Sequence, residues 1–200
     1  MIFNSDRKPH IVLASRSSRR EQLLQQIGVF FASYAVDIDE TPLPNEASIA
    51  YVNRLSLAKA QAGWDENIYS KDLAGLPVLG ADTSVVIDGL ILGKPNDRAD
   101  AVNMLKRLSG QRHQVLTSVS IATGPSQLTA CSVTQVEFKS LTAIEIESYV
   151  DSGEPEGKAG SYAIQGFAAV FVQKISGSYS GVMGLPLAET YQLLTKIKML

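Results

Sequence analysis

The stretch LPVLGADTSVVIDGLILGKP, residues 76–95, decides what kind of fold this chain can adopt. Its two apolar runs meet at Asp88-Gly89, a pair suited to the tight turn of an antiparallel hairpin, so two adjacent strands are predicted here. Upstream, HIVLAS (10–15) is a short apolar run before a helical pattern over 18–27, as for a buried strand feeding a helix. FFASYAVDIDE (30–40) predicts a second strand ending in acids, and TPLPNEAS (41–48) a loop. A helix over 47–62 would place Val52, Leu55 and Ala62 on one face. Downstream, 97–108 reads as an amphipathic helix with Val102, Leu105 and Leu108 inward and Gly110 past its end. HQVLTSVSIAT and QLTACSVTQVEFKSL predict a second pair of strands around Gly124, Pro125 and Ser126. TAIEIESYVDSG (142–153) predicts a helix capped by Thr142, with Glu145 completing a capping box. Strand material at 168–175, a Gly/Ser turn at 176–178 and a last helix from 186, with Pro186 in its first turn, complete the chain. Strands and helices mix without strict alternation. The expected class is α/β: a mixed twisted sheet with flanking helices and a hairpin extension. No repeat or linker divides residues 1–200, which read as one domain.

The bulk composition narrows the function classes. With 45% hydrophobic and 19% charged residues, the chain has the make-up of an ordinary soluble globular protein. A net charge of -2 argues against a broad nucleic-acid or anionic-membrane surface but leaves room for a local basic pocket. The single cysteine, Cys131, allows no internal disulfide and fits a reducing compartment. The first ten residues, MIFNSDRKPH, lack an apolar signal region, and no run is long enough to span a membrane, so the cytoplasm is expected.

Candidate chemistry begins at ASRSSRREQLLQQIG (14–28). Ser18 and Glu21 have capping-box spacing, Leu23, Leu24 and Ile27 follow at helical intervals, and Gly28 marks the end. Yet Arg19 and Arg20 sit in the first turn, with Arg16 just before. A helix N-terminus is already partly positive, and a bound anion such as phosphate would resolve the mismatch. Solvated arginines are the competing account, since the penalty is only about 0.3–1 kcal/mol. Asp82, inside the apolar strand, is costly to bury without a cation, metal or hydrogen bonds. Gly80, two residues earlier, permits a close backbone approach. Lys59 falls on the buried stripe of its helix, where it either snorkels to the edge or serves a phosphate. Lys94 follows the hairpin and is a weak signal alone. Asp39 and Glu40 end the second predicted strand. Paired acids can hold a hard cation, but in isolation a solvated turn is the simpler account. Gln165, in GSYAIQGFAAVF (160–171), offers both a donor and an acceptor to a base edge, although such residues more often serve turns or cores. His10, His113 and Cys131 show no metal-ligand spacing, and Ser15, Ser17 and Ser18 no nucleophile elbow. Walker A and Rossmann glycine patterns are absent. Together, Arg19, Arg20, Lys59 and Lys94 with Asp39, Glu40 and Asp82 point to metal-assisted chemistry on a phosphorylated ligand.

The chain resembles the Maf family of nucleoside triphosphate pyrophosphatases over nearly its whole length. LASRSSRREQLL, LAKAQA, LGADTSVVIDGLILGKP, MLKRLSGQRHQVLTSVSI, KAGSYAIQG and GVMGLPLAETY carry the resemblance, in the family's order and spacing. It implies a two-lobed architecture with a central cleft, like that of inosine triphosphate pyrophosphatases. It also implies hydrolysis of a nucleoside triphosphate to monophosphate and pyrophosphate with Mg²⁺ or Mn²⁺. Asp82 falls on the family's proton acceptor, and Arg19, Arg20, Lys59 and Lys94 on its phosphate-contacting positions. Ser15 and Glu40 match pocket positions, and Glu40 with Asp82 forms the implied metal pair. Arg19, Thr83 and Gln165 occupy the substrate-selecting positions and match the branch acting on dTTP and UTP. The sister branch, which prefers 7-methyl-GTP, carries Trp, Gln and Glu there. A non-enzymatic nucleotide-binding regulator of septum formation is the other reading the family offers. Family members are often dimers, which leaves a homodimer open with no interface marked in the sequence. One departure stands out: Ser18 replaces the proline usual before the arginine pair.

Overall fold

The computed structural model describes residues 8–67, 70, 72–124 and 126–200. β1 (Ile11–Ala14) is buried along its length and leads into α1 (Ser18–Gln26). β2 (Phe31–Tyr34) runs parallel to β1 on its outer edge. It ends at Tyr34 rather than at residue 40, because β1 ends opposite it at Ala14 and an edge strand with no further partner stops. The chain over 35–47 then leads to α2 (Ser48–Asn67), which is longer than expected. Its buried positions include Val52, Leu55, Ser56 and Ala60, whereas Ala62 is only half-buried.

The hairpin over 76–95 forms as expected. β3 (Val78–Ile87) and β4 (Leu90–Leu92) pair across Asp88 and Gly89, both at positive φ (51° and 76°), as a type I′ turn requires. α3 (Arg98–Leu108) is capped by Asp97, whose side chain accepts from the Asp100 N–H. β5 (Arg112–Ala122) and β6 (Gln127–Phe138) form the second hairpin; Pro125, expected in its turn, lies outside the described residues. α4 (Ala143–Asp151) carries the expected Thr142–Glu145 capping box. The segment 168–175 is only partly strand: Phe167–Phe171 is a 3₁₀ turn and β7 follows at Val172–Ser176. A short α5 (Tyr179–Met183), not foreseen, precedes α6 (Leu187–Lys196), which Pro186 caps from just outside.

The seven strands make one mixed sheet in the order β2-β1-β3-β5-β6-β7, with β4 also on β3. β1 and β4 share one edge of β3 but lie at opposite ends of it. β1 pairs with residues 78 and 79, and β4 with residues 85–87. Among the described residues no strand faces 80–84 on that edge, although β5 covers them on the other. The two faces of β3 alternate across this gap. Leu79 and Ala81 pack with α1 and α6, and Val85 and Ile87 with α3 and α4, while Val86 joins Val52 of α2 on the opposite face. Among the described residues no helix is long and apolar enough to cross a membrane.

Candidate active site

The gap beside β3 opens into a cleft of about 640 Å³, and every candidate drawn from the sequence except Asp39 lines it. The alternation of β3 sends Asp82 toward α2 and Thr83 toward α1. Close contact between α2 and β3 depends on Gly80, where a Cβ would lie 2.4 Å from both the Ser56 carbonyl oxygen and the Ala60 nitrogen.

Asp82 is only 7% exposed. Its Oδ1 accepts from Lys59 Nζ at 2.7 Å, and the same ammonium reaches Glu40 Oε1 at 2.6 Å. Lys94 stands behind, 3.7 Å from Glu40 Oε2. Lys59 thus bridges two carboxylates, and the buried-stripe position places it in the site. Burial pushes the Asp82 carboxyl up, against the opposing pull of Lys59 and Arg20. Burial also acts to raise Glu40, but the hydrogen bond and charge of Lys59, with Lys94 behind, hold it below its ordinary range. The two acids are therefore tuned apart, as an acid–base site requires. Glu40 comes from the irregular chain after β2, and Tyr51 fixes it there by donating from its hydroxyl to the Glu40 carbonyl at 2.9 Å. Asp39 turns away; it accepts from the Thr41 N–H at 2.8 Å in an exposed turn.

On the facing wall, α1 presents an N-terminus without a side-chain cap. The expected Ser18–Glu21 capping box does not form. Ser17 rather than Ser18 occupies the cap position, and Glu21 accepts instead from Ser33 Oγ of β2 at 2.6 Å. Arg20 is half-buried and clamped. Nε donates to the Gly184 carbonyl at 2.8 Å, Nη1 to Ser15 Oγ at 3.2 Å and Nη2 to Thr83 Oγ1 at 3.3 Å. Thr83 Oγ1 also lies 3.1 Å from Thr117 Oγ1. The three bonds use three of the five guanidinium N–H groups and leave two for a ligand. Burial lowers the Arg20 pKa, opposed by Asp82.

Gln165 reaches the cleft from the far side on a turn closed by the Gly166 N–H to the Ala163 carbonyl, 2.9 Å. Tyr51 and Lys158 also line the cleft and were not singled out from sequence. Burial, then the like charge of Arg19, pulls the Lys158 pKa down. Lys158 opens the motif KAGSYAIQG that carries part of the family resemblance, but a lysine in a glycine-rich turn has no periodicity to mark it as a site residue. His113, by contrast, is a core residue, as its isolation in sequence suggested.

Two carboxylates are a sparse metal site, and among the described residues no cluster of three or more His, Cys, Asp or Glu is placed to hold a metal. The donor set nevertheless fits Mg²⁺ or Mn²⁺, hard cations commonly held by one or two carboxylates with substrate phosphates and water completing the shell. Here the Lys59 ammonium fills the space between them and supplies the positive charge that a bound metal would supply in its place.

A family model described as "Maf-like protein" matches residues 10–197. A relative from Pseudoalteromonas atlantica, named "dTTP/UTP pyrophosphatase", is 52% identical over 190 residues, covering 94% of this chain and 97% of its own. Proteins of the same name from Nitrosomonas europaea and Pasteurella multocida are 50% and 48% identical, over 92% and 91% of this chain and 92% of each relative.

Proposed function

This chain belongs to the Maf family, and from that premise we propose that it is a pyrophosphatase hydrolysing dTTP and UTP to monophosphate and pyrophosphate. The observation that carries the reading is the placement of Asp82, Glu40 and Lys59 across one cleft from an uncapped helix N-terminus bearing Arg19 and Arg20. Such an N-terminus suits phosphate, and its arginines add directional donors. Near full-length relatives at about half identity, all of that one name, support the same substrates.

In this reading the triphosphate lies against α1, contacted by Ser15, Arg19, Arg20, Lys59 and Lys94. Glu40 and Asp82 would hold the Mg²⁺ or Mn²⁺, whose charge would offset that of the phosphates. Asp82, its pKa raised by burial, accepts the proton of the water that attacks the α-phosphorus. The new bond joins that oxygen to the α-phosphorus, the α–β bridge breaks, and pyrophosphate leaves. Arg19, Thr83 and Gln165 select the pyrimidine, with Thr83 acting partly by holding Arg20. The whole chain works as one domain with two lobes, in the cytoplasm; a homodimer is compatible with this scheme and not needed by it.

The test compares pyrophosphate release across a panel of triphosphates with Mg²⁺ or Mn²⁺. The highest kcat/KM is expected for dTTP and UTP, and Asp82→Asn should lower it by about 10²–10⁴-fold or more with folding intact. A higher kcat/KM for 7-methyl-GTP would shift the chain to the sister activity. Binding of dTTP without any release would make it a binding regulator.

A further inference from the structure

Glu154 lies outside the cleft, just past α4, yet its carboxylate holds both flanks of the turn that carries Gln165. On the C-terminal flank, Oε2 accepts from the Phe167 N–H at 3.0 Å and Oε1 from the Ala168 N–H at 3.4 Å. On the N-terminal flank it acts through one intermediary. Tyr149 donates its hydroxyl to Glu154 Oε1 at 2.8 Å, and the same hydroxyl oxygen accepts from the Ala163 N–H at 3.1 Å. The Tyr149 ring also stacks on Phe167, 6.3 Å between centroids. Gly166 makes room for the arrangement: a Cβ there would fall 2.3 Å from Glu154 Oε1 and 2.6 Å from Oε2.

A carboxylate bound by several N–H and O–H donors is a strong, directional anchor. Here it ties down the six-residue turn 163–168 from both ends. A glutamine amide offers both a donor and an acceptor, and which base edge it meets with good geometry depends on where its backbone is held. We propose that Glu154 is the positioning residue for base selection, fixing the 163–168 turn so that Gln165 is presented to the pyrimidine imide edge from one fixed place. This rests on the reading of Gln165 as a base-selecting residue.

Glu154→Gln replaces one acceptor with an amide donor that opposes a backbone N–H, and it changes nothing in the cleft itself. The expected result is a KM for dTTP raised by about tenfold with kcat within about twofold, and a dTTP-over-dCTP preference lowered by about tenfold. Melting temperature should fall by only about 2–10 °C, with the fold kept. Tyr149→Phe, which removes only the relay to Ala163, should give the same split in smaller measure and serves if Glu154→Gln does not fold. The decisive measurement is a double-mutant cycle. With Gln165→Ala already present, Glu154→Gln should cost no further preference, because its effect passes through that side chain. Additive losses, or a preference unchanged by Glu154→Gln while Gln165→Ala lowers it, would overturn the role of Glu154. A preference untouched by Gln165→Ala alone would instead overturn the assignment of Gln165.

Discussion

Lys59 shows how far a single residue could be read. Its place on a buried helical stripe was visible, but whether it snorkelled or served the site depended on Asp82, 23 positions away, which only the packing of α2 on β3 could supply. Asp82 itself was legible because an acid inside an apolar strand needs a partner. Tyr51 was not, because an amphipathic ring at a helix start looks the same whether or not its hydroxyl finds a carbonyl. His113 illustrates the reverse case, a residue rightly left out of the chemistry that still has a measurable consequence. It is 2% exposed, packed edge-on against Phe138 and paired with the Tyr162 hydroxyl at 3.0 Å. Burial lowers its pKa to about 4. The folded protein therefore keeps His113 neutral where the unfolded chain, with an ordinary value near 6.5, takes up a proton. Its contribution to stability is fully present above that unfolded value and fades as pH falls toward 4, up to about 3 kcal/mol. Glu46 and Glu145, held near 2 by their partners, begin to lose their contributions only as pH falls below about 4.5, at the foot of that range. Urea unfolding followed from pH 7 to 4 should show this acid limb, and His113→Gln should flatten it. Parallel limbs in the two proteins would assign the loss to other groups.

At the level of elements, local signals succeeded where partners were near in sequence. The Thr142–Glu145 box and the Asp88-Gly89 turn need only residues within three or four positions, and both form. The α1 start had the same spacing and did not form a box, because Ser33 of a neighbouring strand claims Glu21. That loss leaves backbone N–H groups facing the cleft, where a side-chain cap would have competed with an anion. The overextended β2 failed for a similar reason: strand length is set by the partner's length, and β1 is short. Gly80 is the element-scale contact on which the site depends. Replacing it with alanine drives a methyl into the α2 backbone, which has no side-chain freedom with which to yield. The helix must move off β3 and take Lys59 from Asp82. Gly80→Ala should cost about 1–3 kcal/mol, read as a lower urea midpoint, and should lower kcat/KM for dTTP beyond what the stability loss explains. A destabilised variant with native kcat/KM would show that the Lys59 bridge tolerates displacement.

The position of the cleft is a property of the whole sheet, and this was the part least visible in the sequence. Apolar runs and the Asp88-Gly89 turn marked β1, β3 and β4 as strands. It could not say that β1 and β4 pair with opposite ends of one edge of β3 and leave residues 80–84 open between them. Register between strands distant in the chain is set by the assembled core, and one consequence is that two packed clusters face each other across the gap. In the proposed scheme a ligand in that gap would touch α1 and β3 with its phosphates and the 163–168 turn with its base, so it would tie the two walls of the cleft together. Binding to the folded state alone raises stability by about 2.7 kcal/mol at a hundredfold excess over Kd. For a chain of this size that corresponds to a melting shift of roughly 5–10 °C. An α,β-imido analogue of dTTP with Mg²⁺ should produce a shift of that order at that excess, shrinking as salt screens the exposed part of the cleft. Inorganic tripolyphosphate at the same concentration should give a distinctly smaller shift, because it engages the arginines and lysines but not Gln165. Equal shifts from the two ligands would mean that the base gains nothing from the far wall. Selection of dTTP and UTP would then have to arise on the α1 side, from Arg19 and Thr83 alone.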